Sequence, residues 1–250
     1  MISQKFSKKT QSLHKKNTIK NCYDFVLDLI YPKHCVGCDK EGTWLCNECL
    51  EKIIIIKKPF CPSCNRLTPK GQFCSRCRPK TQLSGVIICA YYKEGPLKEA
   101  IHTFKYDGIF DLADDLGRIL IKAIDIRNIK GNYILIPVPL HSSRLNQRGF
   151  NQAELLSKKI IKHNSNFKLL SNKFKRIKQA PHQVDLNRKE RIRNAQGQFD
   201  WIGKPNELKG KKIILVDDIY TTGATLNECA RILRQKAQVH EVWGLVVAKH

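Results

Sequence analysis

The stretch IILVDDIYTTGATL, residues 213–226, decides the fold. Ile213, Ile214, Leu215 and Val216 form the short apolar run of a buried strand, and two aspartates, Asp217 and Asp218, follow at once. A loop of small residues then leads into a helical pattern. Outward from this stretch the chain alternates. GVIICAYY (85–92), YILIPVP (133–139), KIILVDD (212–218) and VHEVWGLVVA (239–248) read as strands rich in Val, Ile and aromatic residues. Between them PLKEAIHTFK, FDLADDLGRILIKAI, NQAELLSKKIIKH and TLNECARILRQKA space their apolar residues three and four apart, as amphipathic helices do. Such alternation implies an α/β fold, a mostly parallel sheet flanked by helices. Ligands of these sheets bind at the carboxyl ends of the strands, where Asp217 and Asp218 stand.

With 250 residues, 42% of them hydrophobic, the chain can build one α/β domain and a small appendage. Three segments are expected: a basic leader with a short amphipathic stretch (1–34), a cysteine-rich module (35–80) and the α/β domain (81–250). No apolar run reaches the roughly 18 residues of a membrane span. The first twenty residues are basic, but the apolar stretch after them is short, is interrupted by Asp28 and lacks a cleavage site. The chain reads as cytoplasmic, without membrane insertion. Its formal charge of +23 is unevenly placed: residues 141–212 hold 18 Lys and Arg against 5 Asp and Glu, whereas 81–140 and 213–250 are balanced. Charge so concentrated points to a polyanion, either nucleic acid or a phosphate-bearing substrate. The plainer reading is a solvated lysine-rich surface.

Eight of the eleven cysteines form four Cys-x-x-Cys pairs: Cys35 and Cys38, Cys46 and Cys49, Cys61 and Cys64, Cys74 and Cys77. Each pair is a knuckle that aims two thiolates at one centre, and two knuckles complete a tetrahedral site for Zn²⁺. About two structural zinc ions are expected, paired sequentially or cross-braced, in a module with little apolar packing beyond Trp44, Leu45 and Phe73. The metal must then supply most of its folding free energy. A disulfide framework is disfavoured in a cytoplasmic setting. Cys22, Cys89 and Cys229 lie in apolar surroundings and read as core residues.

The loop Thr221, Thr222, Gly223, Ala224 and Thr225 can curl so that successive amides face inward, and the helix beginning there adds its positive end, which makes a pocket for a phosphate dianion. Carboxylates accept hydrogen bonds, so Asp217 and Asp218 suit a diol, and they can hold Mg²⁺. A ribose 5-phosphate offers both groups.

ILVDDIYTTGATL closely resembles the 5-phosphoribosyl 1-diphosphate (PRPP) motif of type I phosphoribosyltransferases. With the cysteine-rich N-terminus, HTFKYDG (102–108), IPVPLHSSRLNQRGFNQAELL (136–156) and QVDLNRKERIRNAQGQF (183–199), the whole chain resembles the ComF family of bacterial competence proteins, which are amidophosphoribosyltransferase-like. The resemblance implies a type I phosphoribosyltransferase fold with an N-terminal double zinc ribbon. It implies that Asp217 and Asp218 bind the ribose hydroxyls with Mg²⁺ nearby and that residues 221–225 enclose the 5′-phosphate. By the same resemblance Pro139, Leu140 and His141 form the pyrophosphate turn, Arg144 and Arg148 meet its charge, and the basic run from Arg188 to Arg193 serves as the mobile loop closing over PRPP. It also suggests competence or DNA-processing proteins as partners.

Other residues have plainer readings. His102, His141 and His182 are expected as hydrogen-bonding surface residues, Phe104 and Tyr106 as packing residues although they could stack on unpaired bases, and Asp114 and Asp115 as surface acids of a helix. Two functions follow. One is a PRPP-binding competence protein that supports DNA uptake and natural transformation, binding single-stranded DNA through a basic face. The other is an active phosphoribosyltransferase of nucleotide metabolism or salvage that displaces pyrophosphate with a nitrogen nucleophile. No stretch identifies the nucleophile's pocket.

Overall fold

The computed structural model describes residues 32–178 and 188–250. The ribbon region contains one short helix, α1 (Asn47–Glu51). The α/β part then runs β1 (Gly85–Tyr91), α2 (Pro96–Tyr106), α3 (Leu112–Ile126), β2 (Tyr133–Pro137), α4 (Ser142–Arg148), α5 (Gln152–His163), β3 (Phe167–Leu169) and β4 (Phe174–Arg176). It continues with α6 (Arg188–Ala195), β5 (Phe199–Trp201), β6 (Lys212–Tyr220), α7 (Ala224–Ala237) and β7 (Glu241–Lys249). Leader residues 1–31, Cys22 and His182 fall outside the described residues.

Five strands form one sheet in the order β1-β7-β6-β2-β3, and every pairing in it is parallel. The β4 and β5 strands make a separate antiparallel pair. From β2 the chain steps outward to β3, while from β6 it steps the other way to β7. The carboxyl ends of β2 and β6 therefore flank the point where the winding direction reverses, the preferred ligand crevice of such sheets. Register places Pro137 beside Val216, so the turn after β2 and the acidic pair after Val216 emerge side by side.

The side chains of β6 alternate between two cores. Ile214 and Val216 join α2, α3 and α5 on one face of the sheet, and Ile213 and Leu215 join α7 and the β4-β5 pair on the other. All four are buried, which explains a strand that reads as a continuous apolar run rather than an alternating one. The same division extends to the ribbons. Cys35, Leu45, Cys46, Cys49 and Ile53 pack into the first core, and Ile56, Phe60, Cys61, Phe73 and Leu83 into the second. The two cysteine clusters thus lie on opposite faces of the sheet, each sharing its apolar packing with the α/β domain. At about 1.5–3 kcal/mol for each large aliphatic or aromatic side chain buried, this contact adds to whatever the metal contributes. The edge of β1 is covered by the segment between the ribbons: Ile56 N–H donates to Cys89 O at 2.8 Å, and Nη2 of the buried Arg127 donates to Ile56 O (3.2 Å) and Ile88 O (2.5 Å).

Cys89 and Cys229 are fully buried in the core, as their apolar neighbours imply. The four expected helices and four expected strands are present. Missing from the sequence reading were α4, α6 and the three-residue strands β3, β4 and β5, which are too short to show a period.

Candidate ligand cleft and zinc tetrads

At the reversal point lies a cleft of about 320 Å³. Its wall on β6 carries Asp217 and Asp218, continued by Thr221 and Thr225. The turn after β2 supplies Pro139 and Leu140, the helices α4 and α5 supply Arg144, Arg148 and Gln152, and α2 supplies Lys105 and Tyr106. Arg176 of β4 and Arg191 of α6 complete it. Of the five basic residues here, four come from the basic segment 141–212, so part of that charge concentrates on this small cleft rather than on an open face.

The acidic pair is held in place. Lys105 Nζ lies 3.0 Å from Asp218 Oδ1, and both side chains are largely buried, at 17% and 13% exposure. Asp217 Oδ1 accepts the Asp218 N–H at 3.0 Å. Burial, and then the charge of Asp218, push the Asp217 carboxyl up to about 7, while Lys105 and Arg176 pull the other way. A carboxyl held there gains from any cation or hydrogen-bond donor brought into the cleft. Arg176 donates from Nε (3.1 Å) and Nη2 (2.5 Å) to Gln198 Oε1, and its guanidinium lies 5.3 Å from the Phe199 ring centre. Burial lowers its pKa from the ordinary arginine value, and Arg144 lowers it further.

The five loop residues do not all face one way. Thr221 and Thr225 line the acidic cleft, whereas Thr222, Gly223 and Ala224 line a second cleft of about 520 Å³, bounded by Cys64 and Cys77 of the second cysteine cluster and by Ile192 and Ala195 of α6. The loop is the partition between them. Gly223 has φ +77°, and a Cβ there would sit 2.5 Å from Tyr220 Oη, so both conformation and space require glycine. Thr222 Oγ1 accepts the Ala224 N–H at 3.3 Å where α7 begins.

His141 stays out of the cleft wall. Its Nδ1 accepts the Ser143 N–H at 3.3 Å and caps α4, a hydrogen-bonding role. Tyr106 departs from the packing role expected of it. Phe104 is fully buried, but Tyr106 is 62% exposed at the cleft, with the Arg148 guanidinium 5.2 Å from its ring centre and the His102 ring 4.9 Å away. The run expected as a mobile loop is helical from Arg188 to its end in α6, and Arg191 from it reaches the cleft. Asp114 is exposed and paired with Lys159, but Asp115 is half-buried, and burial raises its pKa.

Sequence reading missed Lys105, Gln152 and Arg176 as cleft residues. The first two stand inside the quoted landmarks HTFKYDG and NQAELL and could have been found there. Arg176 could not, because its three-residue strand carries no signal and its place depends on its antiparallel partner β5.

The eight paired cysteines gather into two tetrads, Cys35, Cys38, Cys46 and Cys49, and Cys61, Cys64, Cys74 and Cys77, with the four sulfurs of each within 4.8 Å of one another. Pairing is sequential rather than cross-braced. Burial opposes ionisation of Cys35, but amides of Cys46 and Gly37 bring its thiol down to about 6, whereas burial and the neighbouring sulfurs push Cys49 up to about 12. Cys61 and Cys77 repeat this division, at about 7 and about 12. Four thiols so close ionise together only around a cation, and the all-sulfur donor set fits a structural zinc. In the second ribbon Gly71, with φ +86°, brings its backbone so near β1 that a Cβ would lie 2.5 Å from Val86 O.

Two family models match the chain. Residues 26–78 match the double zinc ribbon domain and residues 146–242 the phosphoribosyl transferase domain. Fold and site together define a phosphoribosyltransferase-type α/β domain carrying a double zinc ribbon. The chain is 34% identical to competence protein F of Haemophilus influenzae, an alignment covering 86% of this chain and 96% of that protein. It is 28% identical to competence protein ComFC of Bacillus subtilis (83% and 91% covered) and 28% identical to the DNA utilization protein YhgH of Escherichia coli K12 (82% and 91%). The chain belongs to the ComF/ComFC family of competence proteins. Among the described residues no helix is long and apolar enough to cross a membrane.

Proposed function

We propose that the chain is a PRPP-binding protein of DNA uptake, which takes PRPP into the acidic cleft and single-stranded DNA onto basic surface around it, in the cytoplasm. The observation that carries the reading is convergence. Two carboxylates with Thr221 and Thr225 on one stretch, and the Pro139–Leu140 turn with Arg144 and Arg148 on another, meet in one cleft where the sheet reverses its winding. In this reading Asp217 and Asp218 accept hydrogen bonds from the ribose 2′ and 3′ hydroxyls, residues 221–225 take the 5′-phosphate, and Arg144 and Arg148 meet the pyrophosphate. Mg²⁺ would be held by the acidic pair and would neutralise part of the pyrophosphate charge. The raised Asp217 carboxyl, beside a second acid already paired with Lys105, suits that cation.

DNA binding is supported by the names of the relatives and by exposed lysines of the basic segment, among them Lys168, Lys175, Lys178 and Lys204. Association through them weakens steeply as salt rises. The test is calorimetric titration of PRPP with Mg²⁺ into the zinc-loaded protein and into Asp217→Asn/Asp218→Asn. The expected result is binding to the first and none to the second, with both folded. Equal affinity would remove the acidic pair from the site.

A second reading, an active phosphoribosyltransferase, is favoured by the four arginines gathered in so small a cleft. There the C1–O bond to pyrophosphate would break as a C1–N bond forms, the nitrogen losing a proton, and the arginines would stabilise the departing charge. Pyrophosphate release in the presence of an amine or nucleobase would identify it.

A further inference from the structure

We infer that the second cleft, between the second ribbon and the far side of the 221–225 loop, is a phosphate-anion site for a nucleotide or a nucleic-acid strand, and that its occupation is coupled to the first cleft. The coupling rests on the reading of the first cleft as a PRPP site; the anion site does not.

The two ribbons give the first observation. Each carries a cysteine tetrad, and they lie on opposite faces of the sheet, yet their charges are opposed. Residues 57–80 hold seven Lys and Arg and no Asp or Glu, and all seven are exposed. Residues 33–56 hold three Lys and no Arg against four Asp and Glu. Zinc held by four thiolates leaves each ribbon two further negative charges, so the second stays positive while the first becomes more negative. Positive potential confined to one ribbon marks the side that a polyanion approaches.

That charge leads into the second cleft, whose volume of about 520 Å³ is ample for a nucleotide. Arg76 and Lys80 stand on its ribbon wall and have no carboxylate partner among the described residues. The one carboxylate among its described lining residues, Glu228, is 4% exposed and already accepts from the Gly197 N–H (2.8 Å) and from Arg231 Nη2 (2.7 Å), so it does not oppose an incoming anion. Beside these groups the lining is apolar, from Phe73, Leu83 and Ile192. Ile192 is the one large apolar residue of α6, and it is 43% exposed. Unpaired cations next to apolar surface suit a nucleotide better than a bare ion: phosphate meets the guanidinium and ammonium, and sugar and base cover the rest.

The second cleft also shares its walls with the first. Thr222, Gly223 and Ala224 face the second cleft, and Thr221 and Thr225 the first. The helix α6 is divided in the same way, with Ile192 and Ala195 on the second cleft and Arg191 on the first. The bond from Gly197 to Glu228 ties the end of α6 to α7, which begins at the loop. A ligand resting on residues 222–224 and α6 therefore bears on two elements that bound the PRPP cleft. Linkage then requires each ligand to change the affinity of the other by the same factor.

The test uses the zinc-loaded full chain with two probes, dADP and a short labelled oligothymidylate, the second also as its uncharged methylphosphonate counterpart. Each is titrated into the wild type, into Arg76→Gln/Lys80→Gln and, on the first ribbon, into Lys52→Gln, all changes at exposed positions. A single-strand phosphate contact contributes about 0.7 to the slope of log affinity against log salt, so losing two should lower the slope by about 1.4 and weaken the oligonucleotide roughly 10–30-fold at about 0.1 M salt. Lys52→Gln should change neither. Saturating oligonucleotide should shift PRPP affinity severalfold in the wild type and leave it unmoved in Arg76→Gln/Lys80→Gln, which binds PRPP alone as the wild type does.

Loss of affinity for both probes in Arg76→Gln/Lys80→Gln assigns the site to nucleotides, and loss for the charged oligonucleotide alone assigns it to a strand. Equal affinities in all three proteins, or a methylphosphonate strand that binds as tightly as the charged one, overturn the anion site. PRPP affinity that ignores a ligand bound through Arg76 and Lys80 overturns the coupling. If PRPP does not bind at all, the reading of the first cleft falls and the coupling with it, while the Arg76 and Lys80 titrations still decide the anion site.

Discussion

Replacing Asp217 by Asn should stabilise the protein in alkaline buffer while abolishing its proposed ligand binding. In the folded chain the carboxyl is raised from 3.8 to about 7, first by burial and then by Asp218. A raised carboxyl holds its proton in the native state after the unfolded chain has released it. Its contribution to stability is therefore present below about pH 4, declines between about pH 4 and 7, and is gone above pH 7, where the native state must carry the buried charge. Three pKa units at 1.36 kcal/mol each set a ceiling of about 4 kcal/mol. Relaxation of the surroundings and water entry around the buried charge lower this, so an effect of about 2–4 kcal/mol is expected.

Asn retains an oxygen to accept the Asp218 N–H and cannot ionise. At pH 4 Asp217→Asn should match the wild type, and at pH 8.5 it should melt about 5–15 °C higher, since 1 kcal/mol corresponds to roughly 2–4 °C at this chain length. Calorimetric scans at the two pH values measure the difference, and titrating thiols elsewhere cancel because both proteins carry them. A variant equally destabilised at both pH values would refute the reasoning, since ionisation of Asp217 would then not be the source of strain.

Four further outcomes follow from the same geometry. Cys49→Ser and Cys77→Ser should each lower bound zinc from about two ions per chain to about one; loss of both ions from either variant, read by elemental analysis, would contradict two independent tetrads. Cys77→Ser should also weaken PRPP binding more than Cys49→Ser does, because Cys77 shares a cleft with Gly223 and Ala224, and Thr81 and Gln82 bond to Asn227 of α7 at 2.8 and 2.6 Å. Gly223→Ala forces a Cβ against Tyr220 at positive φ and should cost about 1–3 kcal/mol together with PRPP affinity, so unchanged melting and binding would count against the loop's tight packing. Lys105→Met leaves Asp218 buried without its cation and should cost about 3 kcal/mol in urea unfolding at pH 8, a loss that Asp218→Asn in the same chain should largely recover.

The sheet was legible because its long strands are buried on both faces. Runs such as residues 213–216 and 85–90 stay apolar throughout, and Pro, Gly and charged residues mark their ends. The acidic pair was legible because strand, carboxylates and loop are contiguous, and the zinc tetrads because knuckle spacing is local. What the sequence concealed is what tertiary packing decides. Arg176 reaches the cleft from a strand 41 residues before Asp217, and nothing in its own neighbourhood marks it as a partner of an acid. The division of residues 221–225 between two clefts depends on Gly223 turning over Tyr220, whereas the exposure of Tyr106 follows from helical phase, opposite the buried stripe Leu97, Ala100, Ile101 and Phe104. The ribbons' placement on opposite faces of the sheet likewise arises from how Ile53 and Ile56 enter different cores.

A crystal structure of the zinc-loaded protein with PRPP and Mn²⁺ tests the central claim most directly. The account predicts the 5′-phosphate within hydrogen-bond distance of residues 221–225, the ribose hydroxyls on Asp217 and Asp218, and an anomalous manganese peak beside that pair. PRPP seated in the second cleft, against Cys64 and α6, or manganese bound away from both aspartates, would contradict it.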